Sequence, residues 1–488
     1  MRELSEQEIV RREKLDKIKN PYPERFETNY SLLDAAKLDD GVTGVKVAGR
    51  IVLMRQMGKL SFLTIQDVEG KIQLSIKQDV VGEERYEQFK EWFDIGDFIG
   101  VVGETFTTKT GEKTVRAESF EFLGKALKPL PEKFHGLHDV ELIYRNRHVD
   151  LIMNEEARKK FLLRSNLIKE IRNYLNSIGY IEIETPILAN DASGALARPF
   201  ITHHNALDMD VYLRIALEMP LKKAVVGGFN KVFEIGRCFR NEGIGPNHLQ
   251  DFTMIEGYGA YLNYKDNMVL LRVMLQTVIK NLFGTLEVQI GDKKVDLAGV
   301  WDTISFRDVI LKHSDIDIYE DNTKEKLLSR IEELNIEIES ETPLKDLGFG
   351  NLADQLYKKV ARPKMLGPIY LTEHPIELSP LARCNDDNPK ITDRFQLVIN
   401  GAEIINGYSE LVDPILQEQR LVEQAKLKAA GDDEAMMMDE DYILAMEYGM
   451  PPISGWGMGI DRLVQLLTNS DNIKDSVLFP LMRPENKE

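Results

Sequence analysis

Residues 231–258 run KVFEIGRCFRNEGIGPNHLQDFTMIEGY. Two apolar, β-prone runs, Val232 to Phe239 and Phe252 to Tyr258, flank a segment holding Gly243, Gly245, Pro246 and Asn247, which predicts an antiparallel hairpin with a long loop. Side chains alternate faces along a strand. Glu234 and Arg240 therefore share one face of the first arm, and Phe252, Glu256 and Tyr258 share one face of the second. One sheet face then carries an arginine, two acids and two aromatics, where an ordinary half-buried strand shows apolar or scattered polar residues. Arg240 stands where the loop begins, placed to fork onto a phosphate, although it could equally pair with Glu242 at the surface.

Two further segments carry chemistry. In RFQLVINGAEIINGYSEL, residues 394–411, Asn406, Tyr408 and Glu410 fall on one strand face by period two. In GWGMGIDRLVQLL, which starts at Gly455, three alternating glycines precede a helix that begins near Ile460 and carries Arg462 in its first turn. A dinucleotide fingerprint would need a βαβ unit with a preceding strand and an acid about 20 positions on in a second strand, and the chain ends first.

FRNEG, a short turn, a histidine and FTMIE resemble motif 2 of the class II aminoacyl-tRNA synthetases, and the wording around them is similar to the lysyl-tRNA synthetases. The resemblance runs from about Val45 to Pro484. It implies an α+β chain, with an oligonucleotide-binding (OB-fold) barrel ahead of an antiparallel sheet flanked by helices, acting as a homodimer. The reaction implied is ATP-dependent ligation of L-lysine to tRNA(Lys) through a lysyl-adenylate, with AMP and pyrophosphate as the other products. The domains expected are an N-terminal helix and barrel over residues 1–124, a proline-containing linker over 125–145, and a catalytic domain with a helical middle region over 146–488.

The same resemblance gives roles to residues. Arg240 and Arg462 are the catalytic cations, at the α- and γ-phosphates of ATP. Phe252 stacks under adenine, Glu242 and His248 hold the loop onto the nucleotide, and Glu403 joins the ATP site through magnesium. Where the family has a second glutamate for the metal, this chain has Gln396, an amide oxygen without charge. The lysine site is assigned to Gly194, Glu218, Glu256, Tyr258, Asn406, Tyr408 and Glu410. So many carboxylates in one pocket demand a cation. Where the family has proline before Glu218 and tyrosine two places after it, this chain has Leu217 and Pro220. In the barrel, Arg55, Phe62 and Gln73 match the anticodon contacts. Near the last strand a family glutamate aligns with Ser119, Glu118 lying one place earlier, and a one-residue shift flips a side chain to the other face. These departures leave open a second reading, a relative that binds tRNA or a nucleotide as a regulator without aminoacylating.

The rest of the chain agrees with a large enzyme. Its 488 residues, 43% of them hydrophobic, are enough for two or more domains. A net charge of −18 argues against a general nucleic-acid coat, though not against a local basic surface such as Lys109, Lys113, Arg116, Lys125, Lys128 and Lys133. Two distant cysteines, Cys238 and Cys384, build no disulfide framework or zinc site, and the charged N-terminus resembles no signal peptide or membrane anchor, so a cytoplasmic setting is expected. Residues 1 to about 20 suggest an amphipathic helix with Leu4, Ile9, Leu15 and Ile18 as its stripe. Residues 261–380 suggest helices and a hairpin near Val288–Val295, with His313 and His374 as structural histidines.

Overall fold

The computed structural model describes residues 3–131, 139–195, 197–243, 245–340, 342–429 and 436–484. The chain divides into two compact units, Met1–Arg158 and Lys159–Glu488. In the first, strands β1 (Val45–Met57), β2 (Leu60–Gln66), β3 (Lys71–Lys77), β4 (Phe98–Thr107) and β5 (Lys113–Gly124) close a barrel in the order β1-β2-β3-β5-β4. Alternation fills it: Val45, Val47, Leu63, Ile65, Ile72 and Leu74 point inward. A helix ahead of the fourth strand, Glu83–Trp92, plugs one part of the core with Tyr86 and Phe89, the latter edge-on to Phe120. Gly103 lets β4 and β5 close, since a Cβ there would lie 2.0 Å from the Arg116 carbonyl oxygen.

The N-terminal helix is shorter and differently anchored than its pattern suggested. It spans Glu6–Asp16, opened by a Ser5/Glu8 capping box. Ile9 is 46% exposed, and of the expected stripe only Ile18 is buried. Polar contacts hold the helix instead: Arg11 donates to the carbonyls of Ala126 (2.6 Å) and Ile95 (3.0 Å), and Lys14 pairs with Asp94 at 2.7 Å. The basic surface is largely dismantled in the same way. Lys125 is buried, its ammonium donating to Asp94 (2.6 Å), Asp97 (2.7 Å) and the Trp92 carbonyl (2.6 Å). Lys113 pairs with Asp40 and Arg116 with Glu104. Lys133 lies outside the described residues. The stretch expected as a linker includes a helix, Val140–Arg145, capped by the Asp139 side chain.

The second unit is built on an eight-stranded sheet. The strands of this unit are β6 (Ile181–Glu182), β7 (Leu188–Ala189), β8 (Ile201–His204), β9 (Met209–Leu213), β10 (Lys231–Phe239), β11 (Asp251–Ala260), β12 (Glu287–Ile290), β13 (Lys293–Asp296), β14 (Asp302–Ser305), β15 (Ile369–Thr372), β16 (Arg394–Ile399), β17 (Ala402–Ser409) and β18 (Ile453–Gly459), of which β7-β9-β8 and β12-β13 form two small sheets apart from the large one. The large sheet runs β14-β15-β16-β17-β18-β11-β10-β6, parallel only in its outermost pairs. β12 and β13 are the expected hairpin. β14 and β15, which the sequence reading passed over as helical surroundings, extend the sheet.

One face of this sheet is buried under three helices, Glu155–Ser177, Tyr264–Phe283 and Ile460–Leu467. Leu167, Ile171, Leu271, Met274 and Leu463 from the helices meet Ile255, Phe395, Leu397, Trp456 and Met458 from the strands. Period two then turns the intervening residues, Met254, Glu256, Gly455, Gly457 and Asn406, to the opposite face, where they line a cavity. Cys238 and Cys384 are free thiols. No helix among the described residues is long and apolar enough to cross a membrane.

Candidate active site

The hairpin forms as its sequence predicts: β10 pairs with β11 with Glu234 opposite Glu256 and Cys238 opposite Phe252. Two carboxylates facing each other repel unless each is matched. Glu234 is matched away from the cavity, by Arg214 at 2.6 Å and the Thr185 hydroxyl at 2.6 Å. Gly236 makes room for that arginine, since its Cβ would meet Arg214 Nη2 at 2.3 Å. Glu256 instead accepts the Leu217 amide at 3.0 Å and the Tyr258 hydroxyl at 3.0 Å. A proline at 217 could not donate that bond. Burial first, then the neighbouring Glu218 carboxylate, raises the Glu256 pKa from 4.5 to about 7 against these donors.

β9 stops at Leu213, and Glu218 opens the helix Glu218–Val226, where a carboxylate suits the helix dipole. Pro220 sits within the first turn, where a missing amide proton costs no helical bond. Gly194 is required twice over, by a φ of +87° and by Ala216 and Glu218, each 3.2 Å from where its Cβ would stand.

Gly455, Gly457 and Gly459 belong to β18 itself, antiparallel to β11 on one side and β17 on the other. That excludes the βαβ arrangement of a dinucleotide site. They are the bare floor of a cavity of about 360 Å³ that gathers Gly194, Glu218, Arg240, Glu242, His248 and Phe252 with Glu256, Tyr258, Glu403, Asn406, Tyr408, Glu410 and Arg462. Its contacts fall into two groups. On one side the Arg240 guanidinium lies 5.1 Å from the Phe252 ring centre, and Arg462 donates to the Glu403 carbonyl at 2.9 Å. Burial, then the Arg462 charge, lowers the His248 pKa. On the other side the Tyr408 hydroxyl donates to Glu218 at 2.8 Å. Arg394, between them, donates to Asn406 at 2.8 Å.

Gln396 does reach Glu403, donating its amide at 2.9 Å. Among the described residues no three His, Cys, Asp or Glu side chains gather as a metal site. One carboxylate and one amide suit an ion whose other ligands are phosphate and water oxygens, and not one held by protein alone.

Three further residues at this site are not marked by any motif in the sequence. Lys222 is fully buried, in ion pairs with both Glu218 and Glu410. Its spacing, i+4 from Glu218 on a helix, was the available signal. Arg394, at the start of β16, donates to Asn406, the Leu378 carbonyl and the Ser379 hydroxyl, each at 2.8 Å. Asp461 accepts the Thr253 amide at 2.6 Å and pairs with Arg164 at 2.5 Å, tying the start of the Arg462 helix to β11.

In the barrel, Arg55 pairs across from Phe62 and Thr64 across from Gln73, so all four share the outer face of β1–β3. Phe62 is half-buried between the inward Ser61 and Leu63, and is no core residue. The register between β4 and β5 shifts at Val102/Gly103, opposite Ser119 and Ala117 respectively. Glu118 is thus the extra residue of a β-bulge, and it and Ser119 are both exposed, so the one-residue shift does not turn Glu118 inward.

Residues 139–483 match the family model of class II tRNA synthetases (D, K and N). The chain belongs to that family. Residues 45–123 of this synthetase also match the OB-fold nucleic acid binding domain. It is similar to the lysine–tRNA ligase of Thermosipho africanus, 47% identical over 95% of this chain and 93% of the relative. It is similar also to those of Bacillus thuringiensis and Bacillus anthracis, each 45% identical over 99% of this chain and 98% of the relative.

Proposed function

We propose that the synthetase is a lysine–tRNA ligase that activates L-lysine with ATP and transfers it to tRNA(Lys). The observation that carries the reading is Glu410, a carboxylate one residue past the end of β17 in a pocket already holding Glu218 and Glu256, which selects a side chain ending in a cation. The lysine carboxylate attacks the α-phosphorus, the bond to the β-phosphate oxygen breaks, and pyrophosphate leaves. A ribose hydroxyl of the tRNA terminus then takes the lysyl group, and AMP departs. The protein's work is positioning and charge stabilisation. Arg240 meets the α-phosphate and Arg462 the γ-phosphate, Phe252 supports adenine, and Glu242 and His248 close the loop over the nucleotide. Gly194, Glu218, Glu256, Tyr258, Asn406, Tyr408 and Glu410 hold lysine. Glu403, with Gln396 beside it, would hold magnesium carried in with ATP, which when bound would supply positive charge against the phosphates.

Arg55, Phe62 and Gln73 form an anticodon surface of the kind that stacks and reads unpaired bases. The domain division proposed is a helix and barrel to residue 124, a connection to 145, and the catalytic region beyond. Exposed Ile181, Ile187, Leu188 and Ile201 support a homodimer through the β6–β8 region, and the setting is cytoplasmic. The regulator reading finds no support, since Pro220 leaves Glu218 in the cavity and Gln396 stays against Glu403. Amino-acid-dependent ATP–pyrophosphate exchange tests the proposal: lysine alone of the standard amino acids should support it, and equal activity with aspartate or asparagine would overturn it.

A further inference from the structure

Three carboxylates, Glu218, Glu256 and Glu410, stand in one cavity, each almost completely buried. Left alone they would repel one another and take up protons. Glu256 has the Leu217 amide and the Tyr258 hydroxyl. The other two share one cation from the chain itself. Lys222 has no exposed surface, and its ammonium contacts Glu218 Oε1 and Glu410 Oε2. It does not line the cavity. It approaches from behind the wall, within 6 Å of the ring centres of Tyr258 (5.9 Å), Tyr408 (5.7 Å) and Tyr442 (5.6 Å). Glu410 Oε1 is left buried with no hydrogen-bond partner among the described residues, beside the bare backbone of Gly455.

We propose that Lys222 is a positioning residue for amino-acid recognition: it fixes one oxygen of Glu218 and one of Glu410 from behind, so that each carboxylate turns its other oxygen to an ammonium of the bound lysine. This rests on the lysine site proposed above. The arrangement gives the pocket its selectivity for a dication-bearing amino acid. A single fixed ammonium lowers the repulsion between two acids without filling the space their ligand needs, and leaves enough negative charge to bind it. Burial drives the Glu410 carboxyl well above the ordinary range and Lys222 opposes it, with Glu218 and Glu256 adding to the rise. Burial likewise works against the Lys222 ammonium, but Glu218 and Glu410 outweigh it and its pKa is raised. The groups facing Glu410 are therefore Lys222, Glu218 and Glu256, with the tyrosines 258, 408 and 442 around Lys222.

Lysine-dependent exchange by Lys222→Met, which keeps the unbranched stem, one atom shorter, and removes the ammonium, tests this. The KM for lysine should rise about 10- to 100-fold, the loss of a charge-assisted contact, while the KM for ATP stays within about twofold. The ratio of parent to variant kcat/KM for lysine should shrink as the pH is raised, because Glu410, already driven upward by burial, loses the opposing Lys222 charge in the variant and ionises only at higher pH. An unchanged lysine KM overturns the proposal. So does a fall in it, which would make Lys222 a competitor inside the cavity, and so does an equal loss for ATP and lysine without pH dependence. If Lys222→Met does not fold, the double variant with Glu410→Gln decides: a folded double variant upholds the charge role, and an unfolded one overturns it. Glu410→Gln alone separates the two readings. An unchanged lysine KM there would refute the lysine site itself, whereas a rise there without one in Lys222→Met refutes only the part given to Lys222.

Discussion

The glycines of β18 make a graded test of the cavity floor. None of Gly455, Gly457 and Gly459 has a positive φ, so alanine is admissible for the backbone at all three and only space decides. At Gly455 a Cβ would lie 2.2 Å from the Tyr258 ring and 2.6 Å from Glu410 Oε1. Neither a ring nor a buried carboxylate can yield cheaply. Overpacking costs about 1–3 kcal/mol, and displacing Tyr258 gives up its hydrogen bond to the Glu256 carboxylate, about 1.5–3 kcal/mol. The total, about 2.5–6 kcal/mol, is roughly two to four decades in lysine kcat/KM. At Gly457 the first obstacle is the terminal methyl of Met254 at 3.1 Å, which can rotate aside, so a loss of about three- to tenfold is expected. At Gly459 the nearest atom is Arg462 Cβ at 3.6 Å, an ordinary contact, and the change should stay within about threefold. ATP–pyrophosphate exchange against lysine concentration, with thermal unfolding as the control for folding, reads the series. Three equal losses, or Gly459→Ala harming the enzyme as much as Gly455→Ala, would refute the argument.

Glu256 titrates near pH 7 in the free protein. Between about pH 4.5 and 7 it is protonated in the folded chain and ionised in the unfolded one, so its contribution to stability falls as pH rises through that window. Lysine kcat/KM should climb through the same window, and Glu256→Gln should abolish that limb of the profile along with most of the activity. Gln396→Glu should lower the magnesium concentration needed for half-maximal exchange, since it adds a charged oxygen beside Glu403; superimposable magnesium curves would remove residue 396 from the metal site. Phe62→Ala should leave exchange intact and weaken charging at limiting tRNA by about 1–3 kcal/mol, the worth of one stacked base, and unaltered charging would place the anticodon platform elsewhere.

What the sequence revealed followed periodicity. The hairpin of β10 and β11 and the face shared by Asn406, Tyr408 and Glu410 rest on an alternation of period two that burial makes obligatory, while the barrel came from the family resemblance. The errors came where polar contacts replaced apolar ones. The N-terminal helix lacks a buried stripe because Arg11 and Lys14 tether it, and Lys125 looked like surface because no local pattern announces a buried lysine between Asp94 and Asp97. Lys222 was hidden for the same reason, since Glu410, one of its two partners, lies far away in the chain. β14 and β15 are short strands at the sheet edge, in a region where helices dominate the signal. The bulge at Glu118 depends on how β5 registers with β4, which only the closed barrel fixes.

β18 enters the sheet between β11 and β17, and most of the catalytic unit precedes it in the chain. The barrel can complete its ladder from residues 45–124 as they leave the ribosome, but the hairpin of β10 and β11 must wait, with one edge unpaired, for its neighbour to be made. Until then the pocket has no floor, and Tyr258 and Glu410 lack the Gly455 backbone that lies against them. A nascent or truncated synthetase ending before Ile453 would therefore present an open apolar strand edge and no lysine site at all, so competence to activate an amino acid arrives in one late step of synthesis.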